Sequence, residues 1–407
     1  MKQAALTLYM LILSTLLCAA AAWGAPPEKR FLTPDGKRPT GLFAPGVMVG
    51  KTVYVAGKGD YKPTEEIAGK VRNCLAEVRK TLQVAGLDLE NVVHSFCYLE
   101  DPNFYPEFNK VYAEFFPKNP PARTTVGVPN VPGDSRIEIT CIAYSDLKEI
   151  KPVGAPPAGF PFTPGILAGD MLYISGKGDQ LSGGGHPATF EEQVRQAMKN
   201  VEATLKQAGL DFRNVVMNHV FLDDYANYGI ANKVYGEFFK PGNEPACATV
   251  FVDWIPGGSH VEVTCWATTD RKSLRAVRPA SVKSGPGEAA VTASPAMWAG
   301  DMLYLSSLSG FDPAAGSISP DLEQQVRRMA QSHLDILKAA GLEYADIVSG
   351  HVYLRNIDDY APMNKVYGEY FSAGPGVRTC LMPNSGYEKN DVRVRASFIA
   401  AKTREQF

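Results

Sequence analysis

Hydrophobic and polar positions follow one pattern three times along this chain. In the first copy, the apolar run Val53 to Ala56 belongs to a predicted short β-hairpin that ends near Ala56. Apolar residues at Ile67, Val71, Leu75, Val78 and Leu82 then recur every three or four positions, which predicts an amphipathic helix. That helix stops at Ala85-Gly86-Leu87, where a glycine suits a left-handed cap. The largely apolar run Val92 to Leu99 predicts a strand, and Tyr105 to Phe116 a second amphipathic helix. Two strands close the unit. One begins in Pro121-Ala122-Arg123-Thr124-Thr125-Val126, and the other contains Ile137-Glu138-Ile139, where Glu138 faces away from its isoleucine neighbours.

The later copies keep the order and change the details. Val53 to Asp60 returns as Leu172 to Asp179 and as Leu303 to Leu308, and Asn109-Lys110-Val111-Tyr112 returns at Asn232 and Asn364. The period of roughly 120 to 130 residues is too long for a solenoid and fits a tandem array of whole domains. The middle strands repeat as Val215 to Leu222 and Ile347 to Leu354, and the helix ends as Gly209 and Gly341. Thr189 and Glu192 predict a capping box on the second copy's first helix; Ser319 and Pro320 predict the start of its counterpart in the third. The Pro/Gly-rich Lys151 to Gly159 and the longer Arg271 to Glu288 read as linkers. The expected units are 38–148, 152–270 and 284–402.

At 407 residues, 45% hydrophobic and 21% charged, the chain can build several cores. A net charge of -2 without a dense basic run argues against nucleic acid or an anionic membrane as partner. Lys2, the apolar Leu6 to Leu17 and the small residues up to Gly24 predict a secretory signal peptide over 1–24, hence an exported, periplasmic or secreted protein with no stable membrane association after cleavage. Cys74, Cys97, Cys141, Cys247, Cys265 and Cys380 are widely spaced and form no metal or redox motif; Cys141 and Cys265 read as small buried hydrophobes.

Each unit resembles the Rid (YjgF) family, small imine deaminases once named L-PSP endoribonucleases. The likeness rests on Gly46 to Gly50, the strand ending at Gly57, the Ala-Gly-Leu helix end, Asn-x-x-Tyr-x-x-Phe-Phe, Pro-Ala-Arg-Thr-x-Val and Ile-Glu-Ile-x-x-Ile-Ala, in shared order and spacing. It implies an α+β fold of three tandem Rid-like (chorismate-mutase-like) domains. Each would be a mixed sheet with two helices on one face, and the three would form an intramolecular pseudo-trimer that is a monomer in solution. It further implies a cleft in which an arginine holds a substrate carboxylate and a glutamate positions or activates water, lined by an asparagine, a tyrosine and a serine. No cofactor or metal is implied.

Carried over residue by residue, the resemblance matches Arg123, Glu138 and Asn109 in the first unit, with Phe43 for the tyrosine and Ala56 for the serine, beside Gly57. The second unit matches at Ser175, Asn232 and Glu262, with Cys247 for the arginine and Phe162 for the tyrosine. The third matches at Ser306, Asn364 and Arg378, with Arg395 or Arg393 at the glutamate's place and a divergent hairpin around Ala293. Only the first unit keeps both Arg123 and Glu138, so the expectation is hydrolysis of 2-imino or enamino acids to 2-oxo acids and ammonia at one cleft centred on that pair. If arginine and glutamate come from different units, that assignment changes. Two alternatives stand: a small-carboxylate binding protein with degenerate clefts, and, more weakly, an endoribonuclease. On the residues alone, Arg123 also reads as an ion-paired strand residue, Glu138 as solvent-facing, the three asparagines as satisfying backbone groups, and His94, His219 and His351 as structural.

Overall fold

The computed structural model describes residues 26–62, 66–283, 292–372, 374–384 and 391–406. The expected leader, 1–24, and the expected start of the third unit at 284 lie outside the described residues.

The first unit runs β1 (Glu28–Phe31), β2 (Gly46–Val49), β3 (Thr52–Gly59), α1 (Ile67–Gln83), β4 (Val92–Leu99), α2 (Tyr105–Phe115), β5 (Ala122–Gly127) and β6 (Ile137–Tyr144). The second repeats this with β7 (Ile150–Val153), β8 (Gly165–Ala168), β9 (Met171–Lys177), α3 (Phe190–Gln207), β10 (Val215–Leu222), α4 (Tyr228–Gly236), β11 (Ala246–Phe251) and β12 (Val261–Thr268). The third has β13 (Arg275–Val277), β14 (Ala296–Ala299), β15 (Met302–Ser309), a small ribbon of β16 (Phe311–Asp312) and β17 (Ser317–Ile318), α5 (Leu322–Ala339), β18 (Ile347–Leu354), α6 (Tyr360–Phe371), β19 (Val377–Leu381) and β20 (Val394–Ala401). A final strand, β21 (Arg404–Gln406), pairs in parallel with β1.

Each unit is a mixed sheet. In the second its order is β11-β10-β12-β9-β8-β7, with β10 and β11 parallel and the other neighbours antiparallel. The helices cover one face through apolar stripes; Val71, Leu75, Val78 and Leu82 are fully buried in the first unit. Two local readings change. The stretches read as linkers each supply an edge strand, β7 and β13, because their extended residues pair with the hairpin beside them (Ile150 with Ala168, Arg275 with Trp298). In the third unit Asp321, not Ser319, caps the helix: its carboxylate accepts the Gln324 N–H at 2.8 Å, leaving Pro320 outside α5. Thr189 and Glu192 do form a capping box, and Gly86, Gly209 and Gly341 take φ of 73°, 73° and 77°.

The opposite sheet faces meet around a pseudo-threefold axis. One apolar cluster draws on all three units and contains Tyr54, Tyr173, Tyr304, Phe96 and Trp266, whereas each unit keeps its own core between sheet and helices. Edge strand β5 packs on β9, β11 on β15, and β19 on β3. Three equivalent hydrogen bonds lock these junctions: Thr163 N–H to Pro121 O (3.0 Å), Ser294 N–H to Pro245 O (2.9 Å) and Ala44 N–H to Gly376 O (2.9 Å). The interfaces close into a ring, which satisfies three like surfaces with none left over. All six cysteines of the described residues are buried and free, and no described helix is long and apolar enough to cross a membrane.

Candidate active site

Because β5-type edges pack on the next unit's β9-type strand, each cleft takes its arginine position from one unit and its glutamate position from the next. At the junction of units one and two, the Arg123 backbone N–H donates to Ser175 Oγ (2.8 Å), and Ser175 donates to Thr163 O (2.6 Å). The Arg123 side chain is buried, and its Nη2 donates to Asn109 Oδ1 at 2.7 Å and reaches Tyr105 Oη at 3.4 Å. Aromatic rings surround the guanidinium: Phe108 and Tyr112 from its own unit, with centroids 5.3 and 5.0 Å away, and Phe162 across the interface at 5.2 Å. Its Nη1 is buried without a hydrogen-bond partner.

Glu262 comes to this cleft from β12. A Cβ on Gly176 would overlap its Oε1, so only glycine leaves the carboxylate its place. Burial raises the Glu262 carboxyl from its ordinary 4.5 to about 8, opposed by the positive charges of Arg123 and Lys177. Burial also lowers the Lys177 ammonium to about 8, with Glu262 opposing. Glu262 Oε1 too is buried without a partner. An unpartnered donor and an unpartnered acceptor thus belong to one interdomain cleft, which is costly in a folded chain unless something else binds there.

The junction of units three and one repeats this with changes. Arg378 Nη1 donates to Asn364 Oδ1 (2.7 Å) and Nη2 to Tyr360 Oη (3.2 Å), and Phe43 lies 5.1 Å from the guanidinium. Its glutamate is Glu138, raised to about 8 by burial and opposed by Arg378, the Cys380 backbone N–H and Lys58. Gly57 seats Glu138 as Gly176 seats Glu262, and Ala56 stands where Ser175 does. The expected pairing of Arg123 with Glu138 is therefore corrected. The two residues lie at opposite junctions of the first unit, so Arg123 faces Glu262 and Glu138 faces Arg378.

At the junction of units two and three, the Cys247 N–H donates to Ser306 Oγ (2.9 Å), and burial pushes the Cys247 thiol up to about 12. Asn232 holds the helix position of Asn109 and Asn364, but Cys247 offers no guanidinium. Arg395 takes the glutamate's register, opposite Tyr353 as Glu138 is opposite Tyr98; Arg393 instead pairs with Asp359. Ser307 replaces the glycine there, as the missing glutamate allows.

Some contributors escaped the sequence reading. Tyr105, Tyr228 and Tyr360 each precede the site asparagine by four residues, a spacing that puts both on one helix face. Lys58 and Lys177, in the shared Gly-Lys-Gly-Asp, give way to Leu308 where the glutamate is lost.

A model of the family described as endoribonuclease L-PSP matches residues 35–145, 153–269 and 286–385. The chain belongs to this family, the Rid (YjgF) family. A RutC family protein of Saccharolobus solfataricus is 39% identical over 117 residues, covering 27% of this chain and 93% of the relative. A protein of Mus musculus named 2-iminobutanoate/2-iminopropanoate deaminase is 38% identical over 118 residues, covering 28% of this chain and 87% of the relative. Among solved structures, the YjgF gene product of E. coli is 30% identical over 29% of this chain, with a TM-score of 0.28. A chorismatase structure is alike over 77% of this chain and 93% of its own, with a TM-score of 0.54 and 12% identity, a likeness of fold alone. This Rid-family chain thus holds three family domains, two of whose junctions combine an arginine with a buried glutamate.

Proposed function

We propose that the protein hydrolyses 2-imino acids to 2-oxo acids and ammonia at the cleft between units one and two. The observation that carries the reading is the buried, unpartnered Arg123 Nη1 in the same cleft as the unpartnered Oε1 of a Glu262 kept neutral near pH 7. The likeness to the mouse protein named as a 2-iminobutanoate/2-iminopropanoate deaminase supports the same chemistry.

Arg123 binds the substrate carboxylate, held in place by Asn109 and flanked by Phe162 and Tyr112, which fixes the neighbouring C2. The Glu262 carboxyl gives its proton to the imine nitrogen, making C2 electrophilic. Water attacks C2 as the Glu262 carboxylate takes a proton from it. Glu262 then protonates the amine, the C–N bond breaks and ammonia leaves; the remaining hydroxyl proton passes to Glu262, leaving the 2-oxo acid and restoring the carboxyl.

The cleft between units three and one has a weaker claim. The Cys380 backbone N–H favours the Glu138 carboxylate over its neutral form, and Ala56 lacks the hydroxyl that anchors Arg123 in the first cleft. The third junction, with Cys247 and Arg395, has neither group in its place. The test is ammonia release from freshly generated 2-iminopropanoate. Glu262→Gln and Arg123→Ala are each expected to reduce kcat/KM by about 100-fold or more, and Glu138→Gln by much less. Parent-like rates in both of the first two variants would overturn the proposal.

A further inference from the structure

The face of β5 that carries Arg123 continues past the arginine along the junction of units one and two. Successive side chains on a strand alternate faces, so Arg123, Thr125 and Gly127 share one face of β5, spaced about 7 Å apart. Thr125 is 5% exposed, and its Oγ1 is buried without a partner. Beyond it, Trp254 of unit two lies over Gly127, where any Cβ would overlap the indole at Cδ1 and Nε1. The Trp254 loop is fastened there: Gly127 N–H donates to Trp254 O (2.8 Å) and Asp253 N–H to Gly127 O (3.0 Å). The indole meets the Tyr105 ring edge to face at 6.4 Å, and its Nε1 is a further buried donor without a partner. Along one face of β5 the order is therefore carboxylate-holding guanidinium, free hydroxyl, free indole N–H.

We infer that Thr125 and Trp254 form a side-chain subsite for a hydrogen-bond acceptor, so that this cleft takes 2-imino acids whose side chain ends in a carboxylate or carboxamide oxygen. The inference rests on the reading of the cleft as a 2-imino acid site. Two unmatched donors each leave a desolvation cost that an alkyl side chain cannot relieve and an oxygen acceptor can. A substrate anchored through its C1 carboxylate at Arg123 extends its side chain along this row. The junction of units three and one differs at each step: Cys380 replaces Thr125, Met382 follows in the row, and Asn130 stands where Trp254 does. Asn130 brings an unpartnered carbonyl oxygen, an acceptor in place of a donor. The two clefts thus present different unpartnered groups to a substrate side chain.

Stable 2-oxo acids report this subsite without turnover. Calorimetric titrations of 2-oxoglutarate and of 4-methyl-2-oxopentanoate, which is branched and apolar, would use the full chain carrying Arg378→Gln to silence the other cleft. The expected result is tighter binding of 2-oxoglutarate, by about tenfold. Thr125→Val and Trp254→Phe should each weaken 2-oxoglutarate about fivefold and leave 4-methyl-2-oxopentanoate unchanged, with Thr125→Ser retaining the parent preference. Equal affinities, or a preference that survives both substitutions, would overturn the subsite while leaving the Arg123 site standing. No binding of either compound, with or without Arg123→Ala, would remove the underlying reading and the subsite together.

Discussion

At the scale of single residues, the proposed chemistry turns on the protonation of Glu262. The proposed cycle begins from its neutral form, and burial holds that form up to about pH 8. The kcat/KM profile is therefore expected to be level below about pH 8 and to fall above it. Arg123→Gln removes a cation that favours the carboxylate, so it should move the falling limb to higher pH while lowering the rate. A limb that stays put would mean that Arg123 and Glu262 do not sense each other. The same shift bears on stability. A carboxyl raised from 4.5 to about 8 on folding contributes stability that is fully present below pH 4.5 and is lost as pH rises through about 8. Glu262→Gln cannot ionise, so melting curves at pH 8 to 9 should place its Tm above the parent's. Arg123 and Glu138 were visible in the sequence as strand residues of suitable chemistry. Glu262 and Arg378 were visible in the same way, but which arginine faces which glutamate was not, because a pairing across a junction depends on which edge packs on which strand, and no local pattern encodes that.

At the scale of elements, β9 and β12 decide whether the cleft forms. Gly176 lies where β9 is irregularly paired to β12, and its missing Cβ is the space that Glu262 Oε1 occupies. Gly176→Ala is expected to displace the carboxylate, cost about 1–3 kcal/mol in chemical denaturation, and lose most deaminase activity. Ser307 marks the contrast: with Arg395 in the glutamate's register, a side chain is accommodated at the same place in β15. Ser307→Gly should therefore leave activity at the first cleft unchanged, and a loss there would undo the comparison. The long elements were legible because their periods are strong; the middle strands Val92–Leu99, Val215–Leu222 and Ile347–Leu354 fall where the apolar runs put them. The edge strands β7 and β13 were not, since three or four residues beside prolines and glycines carry too little alternation to register. The cap on α5 was misplaced for a related reason: Ser319, Pro320 and Asp321 all have start-signal chemistry, and only backbone geometry shows whose side chain reaches the free N–H.

At the scale of the whole molecule, the three units share one central core, and that core contains ionisable groups. Phe96, His219 and His351 occupy matching positions of the three middle strands, with ring centroids 5.0 to 6.1 Å apart. His94 lies beside them, its Nε2 3.3 Å from Thr124 Oγ1, and Trp266 packs against both His94 and His219. Burial lowers the imidazolium stability of all three histidines, to about 3 for His94, to about 4 for His351 and well below 6.5 for His219. Neighbouring histidines add to the effect at His94 and His219. A histidine whose folded value is depressed contributes stability that is present above its unfolded value, near 6.5, and is lost as pH falls toward the folded value. Protonation here places charge where three units meet, so it should loosen all three junctions at once. Thermal unfolding followed by circular dichroism is expected to stay a single transition whose Tm drops between about pH 6.5 and 4. His219→Phe copies the residue that unit one already uses at this position, so the ring has a precedent for accepting it. That variant should lose less Tm over the same acid range, whereas three separate melting steps, or an acid limb unchanged by His219→Phe, would show that the axis does not hold the ring together.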